Sequence, residues 1–183
     1  MRLGVRMEQE SDPVTSRFEA LRDRLLGTAY LVIGHREDAR EAVQEAFLKC
    51  WRNRDRARDA RDLEAWIFSV LLNTARDLRR RRAVRRAESL PTEDAMPTPH
   101  RGDDPGRHAA AREALERVRA AIHRLPDAER EVFLLRQNGD LSYEGIAATL
   151  GCPVGTAKTR MRRALERLRG ALDASHGAAG LSA

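Results

Sequence analysis

The sequence predicts an all-α protein made of two small helical domains joined by a flexible linker. The composition favours helices, with 34% charged and only 4% aromatic residues in a chain of 183. Apolar residues recur every three or four positions, and no segment shows the sustained alternation of a strand. Residues 87–105 contain four of the seven prolines and a net charge of −4, from five acidic residues and Arg101. This segment cannot bury a core, so it divides the chain.

Three long helices are predicted before the linker. In the first, an apolar stripe runs from Phe18 to Val32, and Gly34 supplies a C-terminal stop. The second covers residues 38–51 and has one apolar face and one acidic face. After a charged loop at residues 53–61, Asp62 can cap a third helix whose stripe continues to Leu78.

Four helices are predicted after the linker. The first carries Leu115, Val118, Ile122 and Leu125 on one face, and the next begins near Pro126 and ends at residues 138–139. Ser142 caps a short helix that Gly151 ends. The last helix has an inward stripe; its members are Val154, Ala157, Met161, Leu165, Leu168 and Leu172. A short helix, a turn with glycine and a longer basic helix form a helix-turn-helix pattern.

These elements predict five segments. They are an N-terminal tail at 1–14, a first domain at 15–86, an acidic Pro-rich linker at 87–110, a second domain at 111–172 and a C-terminal tail at 173–183. At full extension the 24 linker residues reach at most about 80 Å, about two helical turns of DNA.

The basic charge is concentrated in two places. The whole chain has a net charge of +6. Residues 76–86 alone have a net charge of +6, from seven Arg and one Asp, and residues 152–170 have one of +5, from six basic residues and one Glu. Clusters of this kind make nucleic acid the expected partner.

Several function classes lack support in the sequence. Cys50 and Cys152 stand about a hundred residues apart with no metal-ligand spacing, so no metal site and no cofactor are predicted. The five histidines are scattered, and there is no phosphate-binding glycine turn, so no catalytic residue is assigned. No stretch is apolar for long enough to insert into a membrane, and we expect a cytoplasmic protein.

The last helix carries the strongest local signal for DNA binding. Once its apolar stripe is buried, a polar and basic set faces outward; its members are Thr156, Lys158, Thr159, Arg160, Arg162 and Arg163. Arg can bind guanine O6 and N7 together, while Thr and Lys reach phosphates. The alternative is a solvated helix with Arg chosen for its helix propensity.

Two further surfaces have alternative interpretations. Trp66 and Asn73 precede the cluster of arginines at residues 76–86. An aromatic ring, an amide and cations together suit the binding of separated DNA strands, although Trp66 lies on the apolar stripe of its helix and could equally be a core residue. The arginines could equally be a solvated helix end. The acidic face of the second helix predicts a protein-docking surface, or an ordinary solvated face.

At this point the sequence resembles the sigma-70 family of bacterial RNA polymerase sigma factors, in particular the extracytoplasmic-function (ECF) group. Residues 38–51, DAREAVQEAFLKCW, resemble region 2.2, and residues 63–76, LEAWIFSVLLNTAR, resemble regions 2.3 and 2.4. Residues 125–136, LPDAEREVFLLR, and 141–160, LSYEGIAATLGCPVGTAKTR, are similar to region 4. The motifs occur in the expected order, which is far more specific than any one of them.

The resemblance implies a function and partners. The chain would direct core polymerase to specific promoters and assist their melting, with no catalysis of its own. Its partners would be promoter DNA and core polymerase, through the clamp helices of the largest subunit and the flap of the second-largest, with an anti-sigma factor as a further candidate. The clamp helices would contact Asp38, Gln44, Glu45 and Phe47.

The resemblance also assigns DNA-binding residues. Residues 53–62 would capture a flipped base of the minus-ten element, and the implied minus-ten set is Arg58, Asp62, Trp66, Asn73, Arg76, Arg79 and Arg80. The outward set of the last helix would read the minus-thirty-five element. Three places depart from the family pattern: Gly145 removes a capping-box Glu, residues 56–58 read Arg-Ala-Arg where an aromatic is common near Ala57, and Ala157 replaces a common Val.

Two other functions stay open on the residues alone. One is a stand-alone helix-turn-helix repressor or activator, which would bind duplex DNA without polymerase. The other is an enzyme acting on nucleic acid, which would turn over substrate without polymerase.

Overall fold

The computed structural model describes residues 12–57, 60, 62–88 and 105–179 of the chain, all of them in helices or their connections. The all-α prediction is confirmed, because no strand occurs in these residues. The described ranges form eight helices in this order: α1 (Pro13–Ile33), α2 (Arg36–Arg52), α3 (Arg54–Ala57), α4 (Leu63–Glu88), α5 (Pro105–His123), α6 (Asp127–Gln137), α7 (Tyr143–Leu150) and α8 (Val154–Ala179).

The helix ends follow local chemistry. Asp12 accepts a hydrogen bond from the Thr15 amide at the start of α1, and Gly34 ends that helix with a φ of 83°. Asp62 caps α4 through the Ala65 amide at 3.0 Å, as predicted. The predicted stop at Gly34 and the predicted cap at Asp62 therefore lie where the sequence placed them, and Asp12 is a further cap.

The turn after α6 requires a glycine for a different reason. A Cβ atom on Gly139 would lie 2.4 Å from the carbonyl oxygen of Leu135, which no side chain could tolerate without a backbone shift. The amide of Leu141 donates to that same carbonyl at 3.2 Å, so the backbone folds tightly back onto the end of α6.

The first half of the molecule is a bundle of α1, α2 and α4. Leu21, Leu25 and Phe68 are fully buried at its centre, and the rings of Phe18 and Phe47 meet edge to face at 5.2 Å between centroids. The charged loop predicted at residues 53–61 contains a short helix, α3, and its last residue, Ala57, is buried. The small side chain of Ala57 therefore packs with the apolar core of the bundle.

The second half consists of α5 to α8. Leu134, Leu135 and Ile146 are buried where α6, α7 and α8 meet. Leu115, Val118 and Leu165, which the apolar pattern placed inside, are 48%, 37% and 46% exposed. They keep a third to a half of their surface exposed although α5 and α8 contact each other, so the periodicity identified the face but not its extent.

The two halves pack against each other into one continuous apolar core. Helix α1 contacts α5 and α6, while α4 contacts α7. The sequence predicted independent domains and indicated no contact between them. Helices also occupy both ends of the predicted linker, since α4 continues to Glu88 and α5 begins at Pro105, and α8 continues into the predicted C-terminal tail to Ala179.

Candidate DNA and polymerase interfaces

A cleft opens between α2 and α4. It has a volume of about 290 Å³ and is lined by Lys49, Asn53, Arg56, Trp66, Val70, Asn73 and Thr74. Trp66, Val70 and Asn73 reach it together because positions three and four apart share one helix face. The cleft therefore combines an aromatic ring with amide and cationic donors, which are the groups that can hold an unstacked base.

Trp66 both packs and lines this cleft. Its side chain is half-buried and rests against the apolar core, while part of it faces the cleft. The two interpretations of this residue are thus compatible. Lys49 faces the same cleft, because its amino group donates to Thr74 Oγ1 at 3.1 Å and pairs with Glu45 at 2.8 Å.

The predicted minus-ten residues do not form a single open surface. Asn73 and Arg80 are exposed, and so is Asp62 at the start of α4. Arg58 lies outside the described residues. Arg76 and Arg79 are half-buried against the second half of the molecule.

Arg76 binds the carboxylate of Glu131 with two hydrogen bonds, Nε to Oε1 at 2.6 Å and Nη2 to Oε2 at 2.5 Å. It also donates to Asn73 Oδ1 at 3.0 Å. Arg79 binds both oxygens of Asp127, one of them at 2.8 Å. These hydrogen bonds raise the pKa of both arginines and lower the pKa of Asp127.

The sequence prediction missed Glu131 and Asp127 as partners of these arginines. They lie 55 and 48 residues further along the chain, on α6, and charge alone does not pair such distant positions. The bidentate pairing could not be predicted from the sequence, because it depends on how the two halves pack.

The four predicted polymerase-docking residues lie on two edges of α2. Gln44 and Phe47 line a groove of about 450 Å³ between α1 and α2, together with Arg22 and Leu26. Asp38 and Glu45 lie on the other edge. The structure thus brings Gln44 and Phe47 together and separates them from the two acidic residues.

The two acidic residues already have partners inside the molecule. Asp38 pairs with Arg82 of α4 at 2.5 Å, and its amide donates to His35 at the start of α2. Glu45 pairs with Lys49 one turn along. The acidic face of α2 is therefore partly neutralised by neighbouring cations.

The helix-turn-helix at α7 and α8 agrees with the predicted geometry. Ser142 Oγ accepts from the Gly145 amide at 3.1 Å, and Gly151 ends α7 with a φ of 61°. The buried Ala157 and Met161 fix the rotation of α8. Its first three turns then present Lys158, Thr159, Arg162 and Arg163 as exposed residues, with Thr156 and Arg160 half-buried.

Few of these outward residues are held by strong contacts. Lys158 lies 5.7 Å from the centroid of the Tyr143 ring, and Arg162 pairs with Glu166 at 2.6 Å within α8. Thr159 donates to the Gly155 carbonyl. Exposed pairs of this kind contribute little to stability, so these side chains can exchange them for contacts with a ligand.

The described residues contain no group of His, Cys, Asp and Glu side chains that could hold a metal ion. Cys50 is fully buried, and burial raises the pKa of its thiol to about 12. Within the described ranges, no helix has the length and apolar character needed to cross a membrane.

Comparison with known proteins gives two family matches in one chain. Sigma-70 region 2 matches residues 17–85, and Sigma-70, region 4 matches residues 115–168. The chain is 34% identical over 159 residues to the ECF RNA polymerase sigma factor EcfG of Rhodopseudomonas palustris, covering 82% of this chain and 83% of that protein. It is 32% identical over 155 residues to the RNA polymerase sigma-H factor of Pseudomonas aeruginosa, covering 81% and 80%.

Solved structures similar to this chain agree with the two family matches. The sigma factor RpoE of Bartonella quintana, in complex with the anti-sigma factor NepR, has a TM-score of 0.71 at 26% identity and covers 86% of this chain and 95% of its own. CnrH in complex with the cytosolic domain of CnrY has a TM-score of 0.62 at 27% identity, covering 88% of each chain. With both regions present in order and relatives matched over most of their length, the chain belongs to the ECF group of the sigma-70 family of RNA polymerase sigma factors.

Proposed function

We propose that this sigma factor divides promoter recognition between its two halves, with a polymerase-docking surface on α2. The observation that carries the proposal is the cleft between α2 and α4, which Trp66 and Asn73 line and from which α4 continues directly into the Arg cluster at residues 76–86. A base can stack and hydrogen-bond in such a cleft while the arginines bind the phosphates beside it.

The upstream element is read by α8. Its exposed basic turns follow a short helix and a glycine turn, the arrangement that places an N-terminal helix end in the major groove. Arg160, Arg162 and Arg163 supply guanidinium groups for guanine edges or phosphates, and Thr156, Lys158 and Thr159 supply further donors.

The groove between α1 and α2 is the proposed core-polymerase surface. Gln44 and Phe47 line it, and its apolar wall suits a helix of the polymerase clamp. Asp38 and Glu45 would add acidic contacts at the other edge of α2 once a basic partner competes with Arg82 and Lys49. The exposed apolar residues Leu115, Val118 and Leu165 are available for the flap of the second-largest subunit.

Strand opening in this scheme needs no nucleotide cofactor and no chemistry by the sigma factor. Capturing an unpaired base offsets an unstacking cost of a few kcal/mol. Because the chain acts with polymerase on the chromosome, we place it in the cytoplasm. The two related sigma structures were solved with anti-sigma proteins, which supports an anti-sigma factor as a further partner.

Core-dependent transcription tests the proposal. Purified core polymerase should initiate from a subset of promoters only when the chain is added. A stand-alone repressor or activator would bind duplex DNA without core and support no initiation, and an enzyme would consume nucleic acid without core. Either of those two results would replace the sigma assignment of these surfaces.

A further inference from the structure

One member of the outward set of α8 (residues 156, 158–160, 162 and 163) contacts a different helix. The amino group of Lys158 lies over the ring of Tyr143, the first residue of α7, at 5.7 Å from the ring centroid. The other side-chain hydrogen bonds and ion pairs described for this set stay within α8. Among these described contacts, the one made by Lys158 therefore links the proposed DNA-reading face to a second helix.

The Tyr143 ring is itself held in place. Its side chain is half-buried and packs against the apolar core. The residue before it, Ser142, caps α7 by accepting a hydrogen bond from an amide of that helix at 3.1 Å. Arg136 of α6 lies over the same ring at 5.9 Å and donates to the Leu141 carbonyl at 2.8 Å. The ring therefore offers Lys158 a fixed surface.

We propose that Tyr143 is a positioning residue whose ring orients the Lys158 ammonium group toward one base edge, an inference that rests on the proposed role of Lys158 in reading the upstream element. A cation is attracted to the face of an aromatic ring within about 6 Å of its centroid. The ammonium group has three donors, so those that do not face the ring remain free for guanine O6 and N7.

A lysine gains more from such a contact than an arginine would. Its stem is flexible and its ammonium group is a point charge, whereas the planar fork of an arginine is preorganised. Ordering a free lysine on DNA costs side-chain entropy, and a contact that orders it beforehand lowers that cost. Ala157 is fully buried, so the backbone beside Lys158 is fixed. The freedom that remains lies in the side chain, which is what the ring restricts.

The surrounding charges support the same orientation. Lys158 has no acidic partner among the residues that the structure describes, so no ion pair there competes with the ring. Arg136 adds a second positive charge over the ring. Repulsion between the two cations disfavours rotamers that carry Lys158 toward α6. The ring and this charge together narrow the range of Lys158 rotamers.

The contact can be measured directly, because the chain contains only two lysines, Lys49 and Lys158. The full chain labelled with ¹³C-lysine gives two sets of side-chain NMR signals, which Lys158→Met assigns. The face of an aromatic ring shifts nearby protons upfield. We expect upfield-shifted ε-methylene protons of Lys158 in the unmodified chain and in Tyr143→Phe, and the position of free lysine in Tyr143→Leu, with Lys49 as the internal reference. A Lys158 signal at the free-lysine position in the unmodified chain would overturn the proposal.

The functional test is a double-mutant cycle in the holoenzyme. Its affinity for a duplex promoter selected from a randomised library is compared with its affinity for each single-base-pair change in the upstream element. Lys158→Met should lower discrimination at one base pair by about tenfold. Tyr143→Leu should lower it by about threefold at the same base pair, and by nothing further in the Lys158→Met background. Tyr143→Phe keeps the ring and should retain the discrimination.

Tyr30→Leu is the matched control. Tyr30 is also half-buried and has Arg119 over its ring at 6.0 Å, but it lies on α1. This variant should leave upstream discrimination unchanged, and blurring of the same base pair by it would overturn the proposal, because the effect would then come from lost stability.

Three further results would also overturn the positioning role. They are an equal loss at every base pair in Tyr143→Leu, an effect of Tyr143→Leu that persists in the Lys158→Met background, and equal damage by Tyr143→Phe, which would indicate a direct contact of the hydroxyl group. Lys158→Met alone tests the proposed function, so its failure is distinguishable from an additive cycle. If Tyr143→Leu does not fold, the NMR signals of the unmodified chain and the binding of Tyr143→Phe still decide the question.

Discussion

At the scale of single residues, Asn73 gives the sharpest test of strand opening. It is exposed beside Trp66 in the cleft, and its side-chain oxygen accepts a hydrogen bond from Arg76. Asn73→Ala should slow open-complex formation on duplex promoter by about fivefold, which corresponds to about 1 kcal/mol for one lost hydrogen bond. Permanganate reactivity of unpaired thymines measures the effect.

A template that is already mismatched over the minus-ten region is the control for Asn73. The mismatch removes the unpairing cost that the contact helps to offset, so the loss should nearly disappear there. An equal loss on both templates would show that Asn73 supports folding or static binding, and the opening site would have to lie elsewhere.

Arg160 and Arg80 should behave differently as DNA contacts. Arg160 is half-buried on α8, whereas Arg80 is exposed on α4 and paired only locally with Asp77 among its described contacts. Arg160→Ala should cost about 1–3 kcal/mol on the preferred upstream element and relax sequence preference there. Arg80→Ala should weaken all sequences alike and lower the salt slope by about one.

Binding titrations of the holoenzyme at several salt concentrations separate these two effects. Arg80→Ala serves as the matched control for Arg160→Ala, since each removes one guanidinium group. If both variants changed sequence preference to the same degree, the assignment of base reading to α8 would be wrong.

At the scale of the helices, Gly145 lowers the stability of α7, and a substitution there can restore it. A Cβ atom there would meet Ser142 Oγ, Asp62 and Leu141 at 3.5–3.6 Å, which is ordinary contact distance. Gly145→Ala should therefore stabilise the protein by about 0.5–1 kcal/mol, because alanine loses less backbone entropy in a helix. Urea unfolding measures the change.

Gly139→Ala is the matched control for Gly145→Ala. Its new Cβ would lie 2.4 Å from the Leu135 carbonyl oxygen, so this variant should lose stability. A gain at Gly139, or a loss at Gly145, would mean that the described turn and helix packing are incorrect.

Helix boundaries could be predicted because their causes are local. Asp62, Ser142 and Gly34 each act on amides or dihedral angles within a few residues. The apolar stripes predicted which faces turn inward, but not that Leu165 stays exposed, because that depends on which helix covers α8. The sequence also could not predict that the four proposed docking residues of α2 lie on two edges of the helix, since that follows from the position of α4.

The contact of α5 with α1 should make stability depend on pH. The His123 ring meets Tyr30 edge to face at 5.9 Å, and burial, with Arg130 nearby, lowers the pKa of His123. A lowered native pKa means that the stabilisation is complete above the ordinary value of about 6.5 and is lost as pH falls below it. Thermal unfolding should therefore occur at a lower temperature at about pH 5.5 than at about pH 7.5.

His123→Phe is the variant that isolates this effect. Phenylalanine retains an aromatic edge against Tyr30 and cannot be protonated, so the difference in unfolding temperature between the two pH values should shrink. An unchanged difference would assign the pH dependence to other groups.

At the scale of the whole molecule, the sequence predicted the two halves and their separate charges but not their contact. The ion pairs of Arg76 and Arg79 join positions about 50 residues apart, and no periodicity or motif encodes such a pairing. The Asn138 to Thr28 hydrogen bond spans 110 residues and was equally unpredictable. Long-range pairing is decided by the assembled surfaces, so only a structure shows it.

The central claim is that the two halves read two separate promoter elements for polymerase. Transcription by core polymerase with this chain, from a promoter library randomised over about 40 base pairs, tests it most directly. We predict two blocks of preferred bases about two helical turns apart, with Arg160→Ala blurring the upstream block alone. A single block, blurring of both blocks by that variant, or no initiation above core alone would contradict the account.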